Sequence, residues 1–299
     1  DEQLSQGIIE PAQSAYAANL AIVKKHDGST RCCCDYRGLN LITKRDAYPL
    51  PRLDQCLDAL GNGNCWFSVC DMRSGYYQVA MAEKDRDKTA FISHRGLHRY
   101  KVMPMGLMNA PSTFQRLMDL VMSGLLYEVC LVYLDDIIIF SRTLEEHLSR
   151  LEMVLDRLVK AGLKLKPSKC RLLQRQVGFL GHIISEEGIA TDPAKTNAIV
   201  HWPTPTNVHE VRGFLGLCSY YRRFVDHYAE KSAGLTSLLR KNVRFRWTDE
   251  CQESFDQLRR ALTSPPVLAM PREPPEVPDG REGMYILDTD ASDVSVGCV

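Results

Sequence analysis

The chain has 299 residues, 44% of them hydrophobic, which is enough for several packed subdomains and is the balance of a globular protein. Its 37 Lys and Arg balance 37 Asp and Glu, so no overall basic charge marks it as a nucleic-acid binder. No apolar run approaches the length of a membrane span.

In chain order, residues 20–23 and 31–36 read as two strands joined by a turn at His26-Asp27-Gly28-Ser29. Cys32, Cys33 and Cys34 lie in the second, where neighbours point to opposite faces and are poorly placed to bridge one another. Residues 53–60 read as a short helix, and Gly61-Asn62-Gly63 as its closing turn rather than a phosphate loop. Residues 67–70 form a short apolar run that ends in Asp71. Asn109-Ala110-Pro111 opens a helix, on which Phe114, Leu117, Met118, Val121, Met122 and Leu125 recur along one core face. Residues 130–134 and 137–140 read as buried strands. So little chain separates them that they form a tight hairpin with Asp135 and Asp136 at its tip.

Thr143 and Glu146 make a capping box. The helix behind it carries Leu144, Leu148, Leu151, Leu155 and Leu158 as its apolar face, and Gly162 stops it. Residues 177–184 read as paired strands. From Pro193 the chain is helical and aromatic. Asn207 with Glu210 caps a helix carrying Val211, Phe214, Leu215, Cys218, Tyr221 and Phe224. Thr248 or Asp249 caps a last helix with Phe255, Leu258 and Leu262. Residues 265–283, dense in Pro, Glu and Asp, read as a linker. Two local basic runs, Arg157 to Arg175 and Arg212 to Arg246, could follow a phosphate backbone, or simply form solvated helix faces. The 11 cysteines include no Cys-X-X-Cys pair and no zinc-ligand spacing. An odd count without a secretory signal implies reduced thiols in an intracellular compartment.

Asp135 and Asp136 are the chemically informative pair. Two adjacent carboxylates between apolar runs repel each other and are costly to desolvate. A divalent cation with a taste for hard oxygen ligands, magnesium or manganese, relieves both problems. A hairpin turn facing water also suits the two acids, and this motif alone does not choose. Asp71 at the end of another short strand adds a third carboxylate. If these strands neighbour each other in one sheet, the three acids can hold two ions around an in-line phosphoryl transfer.

Tyr133-Leu134-Asp135-Asp136 resembles the Tyr-X-Asp-Asp motif of reverse transcriptases. Further stretches resemble the same family in the same order: Lys24-Lys25-His26-Asp27-Gly28, Arg31 with 35–40, Tyr48-Pro49-Leu50-Pro51, residues 71–78, residues 103–115 and Phe179-Leu180-Gly181-His182. The nearest likeness is to the gypsy class of long-terminal-repeat retrotransposons, with retroviral enzymes more distant, and it covers nearly the whole chain. It implies an α+β right-hand polymerase of fingers, palm and thumb, a fragment of a pol polyprotein that starts within a longer product. Fingers and palm would occupy 1–190, a thumb or connection-like helical region 191–264, the linker 265–283 and a truncated RNase H start 284–299. In that last stretch Asp290 stands where the family has a metal ligand. The remaining RNase H carboxylates are absent, so no RNase H activity is expected. The Asp-Thr-Gly motif of aspartic proteases is rejected, because Asp290 stands in place of Gly.

The resemblance implies an RNA-directed and DNA-directed DNA polymerase. Its partners would be an RNA or DNA template with its primer, deoxynucleotides, no membrane, and optionally a second copy in a homodimer. Asp71, Asp135 and Asp136 would be catalytic and bind two Mg2+ ions, with Mn2+ as an alternative. Lys25 and Arg31 would hold the incoming triphosphate, with Lys24 competing for the place of Lys25. Tyr76 would lie under the incoming sugar and exclude a ribose 2′-hydroxyl. Gln115 and Met105, the latter in the Met105-Gly106 turn, would flank the nucleotide or template, although retroviral relatives place Gln where Met105 stands. Phe179-Leu180-Gly181-His182 would grip the primer. The setting would be cytoplasmic, within a retrotransposon particle. A degenerate remnant, a binding protein that uses the cleft alone and a structural interaction module are the rival readings, though intact Asp71, Asp135 and Asp136 argue against decay at the metal site.

Overall fold

A computed structural model describes residues 2–24, 28, 30–61, 63–263, 268, 289–291 and 296–298; of 30, 31, 289–291 and 296–298 it describes the backbone alone. Contacts divide the chain into two compact units, Asp1–Cys56 with Cys65–Ile184, and Leu57–Asn64 with Ser185–Val299.

The first unit is built on a four-stranded antiparallel sheet in the order Cys130–Tyr133, Asp136–Ser141, Trp66–Asp71, Arg171–Gln174. Of the two central strands, Asp136–Ser141 is buried beyond its first residue and Trp66–Asp71 at Phe67, Ser68 and Cys70, which is why the former reads as a continuous apolar run. The Ala110–Val121 and Leu144–Lys160 helices share one core with Cys70, Val132, Ile137 and Ile139. Side chains alternate along a strand. Asp71 and Asp136 therefore stand on the face opposite Cys70 and Ile137. A second, smaller core joins Ile9, Cys34, Tyr36, Phe91 and Tyr100. It ties the Leu20–Lys24/Thr30–Cys34 hairpin to the sheet of Ile9–Pro11, Gly96–Tyr100 and Phe91–Ser93.

The predicted capping box is present: Thr143 Oγ1 accepts from the Glu146 amide at 3.2 Å, and Glu146 Oε2 accepts from the Arg142 amide at 2.9 Å. The apolar face predicted behind it is only partly right. Leu144 and Leu148 are exposed, and the buried stripe is His147, Leu151, Val154 and Leu158. A histidine can replace a leucine there because both ring nitrogens find partners: Nε2 lies 2.7 Å from Ser68 Oγ and Nδ1 2.9 Å from Ser141 Oγ. The Ser141 hydroxyl donates its one hydrogen to the Thr143 carbonyl, so its oxygen accepts from Nδ1–H. Nε2 is then bare and accepts from Ser68, whose oxygen accepts the Leu173 amide at 3.0 Å. The neutral ring thus pins three strands of the sheet to the helix.

Protonation would give Nε2 a hydrogen facing a hydroxyl already oriented towards it. Burial, helped by the Arg150 charge, holds the His147 imidazole below its ordinary value of 6.5. The unfolded chain therefore takes up a proton here at a higher pH than the folded one. Stability from this group is complete above about pH 6.5 and is lost as the pH falls towards the depressed folded value. The melting temperature is expected to fall more steeply between pH 7 and 5 in the parent than in His147→Gln, and parallel slopes would refute this.

In the second unit, the Pro193–Val200, Val208–Tyr220 and Asp249–Thr263 helices carry the core. The Phe214 and Phe255 rings meet at 4.6 Å, flanked edge-on by Trp202 and Trp247. Asp192 caps the first helix through the Ala194 amide, and Asn207 caps the second through the Glu210 amide. Thr248 caps the third, accepting from the Cys251 amide. Asp58 pairs with Arg223 at 2.8 Å. Thr289–Ala291 pairs antiparallel with Val296–Cys298, bringing Asp290 opposite Gly297.

Candidate catalytic site

The hairpin is tighter than predicted. Tyr133 pairs directly with Asp136, so the two loop residues are Leu134 and Asp135, and Asp136 is the first residue of the return strand rather than part of the tip. Short hairpins follow the twist of their strands only with positive φ in the loop. Leu134 supplies it at φ +55°, in a region that disfavours a branched side chain at a cost of about 1–3 kcal/mol.

Asp136 lies opposite Asp71 on the neighbouring strand, and the Met72 amide donates to the Asp135 carbonyl at 3.2 Å. The three acids thus meet at one end of the sheet. Asp135 is exposed, whereas Asp71 and Asp136 are half-buried. Burial, then the charges of Asp135 and Asp71, push the Asp136 carboxyl up to about 6, with Lys169 opposing. Lys169 escaped the sequence reading, where it was one member of a basic run. Its ammonium donates to Asp71 Oδ2 at 2.8 Å and acts on the other two acids as well. Among the described residues no three acid, His or Cys side chains stand together as a group that could hold a metal ion in this arrangement. The charges of Asp135 and Asp71 nevertheless reach Asp136 and oppose its ionisation, and Asp71 already draws in a cation. That donor set, all carboxylate oxygen with excess negative charge, fits a divalent ion of the hard class.

Tyr76 follows in the Gly75–Gln78 turn, half-buried and edge-on to Phe114 at 5.5 Å. Burial, then the Asp135 charge, push its hydroxyl up. Gly75 is required: a Cβ there would stand 2.9 Å from Phe114 Cζ and 3.4 Å from the Asp135 Cβ.

Gln115 corrects the sequence reading. It is 0% exposed and cannot flank a nucleotide or template as it stands. Its side chain serves the hairpin instead, accepting from the Leu134 amide at 2.7 Å and donating to the Val132 carbonyl at 3.1 Å. Met105 is half-buried in a turn that Asn40 secures by donating to the Gly106 carbonyl and accepting from the Met108 amide. Gly106 holds φ +96°, and a Cβ there would press on the Cys34 carbonyl at 3.3 Å. Lys25 and the side chain of Arg31 lie outside the described residues, while Lys24 is an exposed strand end. Leu180 and Gly181, at φ +47° and +70°, form the turn between Gln176–Phe179 and His182–Ser185, and Phe179 and His182 are buried. Within the first basic run, Lys169 faces Asp71 and Arg175 lies over the Trp66 ring at 4.2 Å.

Residues 23–184 match the family described as reverse transcriptase (RNA-dependent DNA polymerase). Residues 247–299 match an RNase H-like domain found in reverse transcriptase, a match that takes in the Asp249–Thr263 helix. A retrovirus-related Pol polyprotein from transposon 297 of Drosophila melanogaster is 41% identical over 304 residues, covering 100% of this chain and 28% of the relative. The corresponding polyprotein from transposon gypsy of the same species is 34% identical, covering 99% and 30%. The transposon Tf2-3 polyprotein of Schizosaccharomyces pombe is 33% identical, covering 100% and 22%. The chain thus spans less than a third of the length of these relatives. Among solved structures, a foamy viral protease-reverse transcriptase in complex with double-stranded DNA superimposes with a TM-score of 0.84 at 26% identity, covering 91% of this chain and 48% of that one. The foamy viral enzyme in complex with an RNA/DNA hybrid gives 0.79 at 26% identity, covering 91% and 37%.

Proposed function

The chain belongs to the reverse transcriptase family, with relatives in the Pol polyproteins of long-terminal-repeat retrotransposons, and on that premise we propose that it extends a primer with deoxynucleotides on an RNA or DNA template. The observation that carries this reading is the meeting of Asp71, Asp135 and Asp136 at one sheet end, on the face opposite the two packing helices. Two magnesium ions, or manganese in their place, would supply charge neutralisation at the transferring phosphate and at the attacking 3′-hydroxyl when bound by these acids.

The chain's own residues do the rest by positioning. The sheet fixes Asp71 and Asp136 on adjacent strands, and the turn presents Asp135 to solvent. Lys169 holds Asp71 and balances the acid charge. Tyr76 offers a ring face beside Asp135 as the floor of a sugar site, where an added 2′-hydroxyl would collide. Lys25 and Arg31 are proposed for the triphosphate and Met105 for the nucleotide's flank. Phe179-Leu180-Gly181-His182 is proposed for the primer end. The second unit's helices Pro193–Val200 and Val208–Tyr220 are read as the thumb, 247–299 as the opening of an RNase H-like domain, and the site of action as a cytoplasmic particle. The foamy viral relatives bound to duplex DNA and to an RNA/DNA hybrid support a nucleic-acid partner.

The test is primer extension on a defined RNA template with magnesium and four deoxynucleotides. Full-length product supports the reading; a folded protein that makes none refutes it. In the same assay Tyr76→Val is expected to raise ribonucleotide incorporation relative to deoxynucleotide by about tenfold or more, the effect of removing a steric clash worth roughly 1.4 kcal/mol. Unchanged selectivity would leave Tyr76 as a packing residue against Phe114.

A further inference from the structure

The segment around Tyr48-Pro49-Leu50-Pro51 has no part in the chemistry described so far, yet a continuous line of hydrogen bonds joins it to the catalytic hairpin. The Tyr48 hydroxyl donates to Asp119 Oδ2 at 2.5 Å. Asp119 Oδ1 accepts from Gln115 Nε2 at 2.8 Å. Gln115 in turn grips both sides of the turn, through the Val132 carbonyl and the Leu134 amide. Tyr48 is itself fixed: Arg116 lies over its ring at 4.7 Å, and Asp46 accepts from both the Arg116 guanidinium and the Tyr48 amide. The Asp46 amide donates to Asn109, whose side chain donates to the Lys44 carbonyl.

Each link has a physical reason to be there. An amide side chain can sit in two orientations that differ by exchange of its oxygen and nitrogen. Only one gives Leu134 an acceptor and Val132 a donor. A carboxylate beside the amide accepts but cannot donate, so Asp119 permits the NH2 group on its side and excludes the flipped form. Tyr48 anchors that carboxylate from outside. The turn needs such a grip, because Leu134 holds a backbone conformation it disfavours and no glycine relieves it.

We propose that Tyr48 is a positioning residue for the catalytic hairpin, holding the Leu134–Asp135 turn through Asp119 and Gln115. The proposal rests on the polymerase reading for its consequence in activity, but not for its consequence in the hairpin. Tyr48→Phe keeps the ring under Arg116 and removes the one hydroxyl.

Two measurements on the full chain test it. Amide hydrogen exchange over 132–136 should quicken about tenfold in Tyr48→Phe, the order expected for one lost hydrogen bond in the line. Single-turnover primer extension should slow by a similar factor, with the KM for deoxynucleotide and the affinity for primer-template unchanged. Adding Gln115→Met, which removes the middle of the line, should abolish the separate effect of Tyr48→Phe in a double-mutant cycle. Unchanged exchange overturns the proposal, as does additivity in the cycle. A loss confined to primer-template affinity also overturns it and makes Tyr48 a nucleic-acid contact. If the parent makes no product while exchange responds as stated, the relay stands and the polymerase reading falls.

Discussion

Asp135→Asn is expected to abolish primer extension, with a loss on the order of 10³-fold or more in the single-turnover rate. Asn keeps the size of the side chain and the two-residue turn but removes one charge from the oxygen cluster that should hold the cations. Charge stabilisation of a transferring phosphate contributes several kcal/mol, and each 1.4 kcal/mol is about tenfold in rate. Primer-template affinity should not change, because Asp135 is acidic and exposed and attracts no phosphate. The metal-free protein should not be destabilised either, since Asp135 adds to the repulsion that pushes the Asp136 carboxyl up. A variant with circular dichroism and melting temperature like the parent but no product would establish the role. One that retains even a tenth of the rate would remove Asp135 from the catalytic set.

Gly75→Ala should damage the same site by overpacking. The new methyl would meet Phe114 Cζ at 2.9 Å, and Phe114 is completely buried with Tyr76 against its face. The ring cannot retreat without disturbing the core, so a cost of about 1–3 kcal/mol is expected. Phe114 Cε1 and the Asp135 Cβ both stand at 3.4 Å, so relief away from the ring moves a proposed metal ligand. A shift of about 1 Å at a reacting centre costs roughly 100-fold in rate. Folded Gly75→Ala is therefore expected to lose activity well beyond its loss of stability. Adding Phe114→Leu, which vacates the space, should recover part of both. No recovery in the double variant would show that the ring contact is not the cause.

Three features of the sequence carried most of the reading. The acids at Asp71, Asp135 and Asp136 stand out because charge between apolar runs is expensive. The caps at Thr143 and Asn207 stand out because each cap and its partner lie three residues apart. The stripe of Phe114, Met118 and Met122 stands out because a helix repeats every 3.6 residues. All three depend on neighbours in the chain, and local rules suffice for them. Strands outside the predicted elements include Gly96–Tyr100, Arg171–Gln174 and, three residues long each, Ile9–Pro11 and Phe91–Ser93. So short a segment shows no period.

The polar side chains divide differently. Gln115 looks like a nucleotide contact beside a catalytic motif, and it is buried as a clamp on a turn 19 residues further along the chain. Lys169 looks like one cation of a basic run, and it meets an acid 98 residues earlier. His147 displaces a leucine from the predicted face only because Ser68, 79 residues away, and Ser141 meet its two nitrogens. By itself the sequence determined which residues could do chemistry and where helices and long strands run, because burial period, capping and the cost of a lone charge act over a few residues. Tertiary structure alone decided which polar group serves which, because a hydrogen bond or ion pair is fixed by where the sheet brings distant strands together, and nothing local to Gln115, Lys169 or His147 encodes that partner.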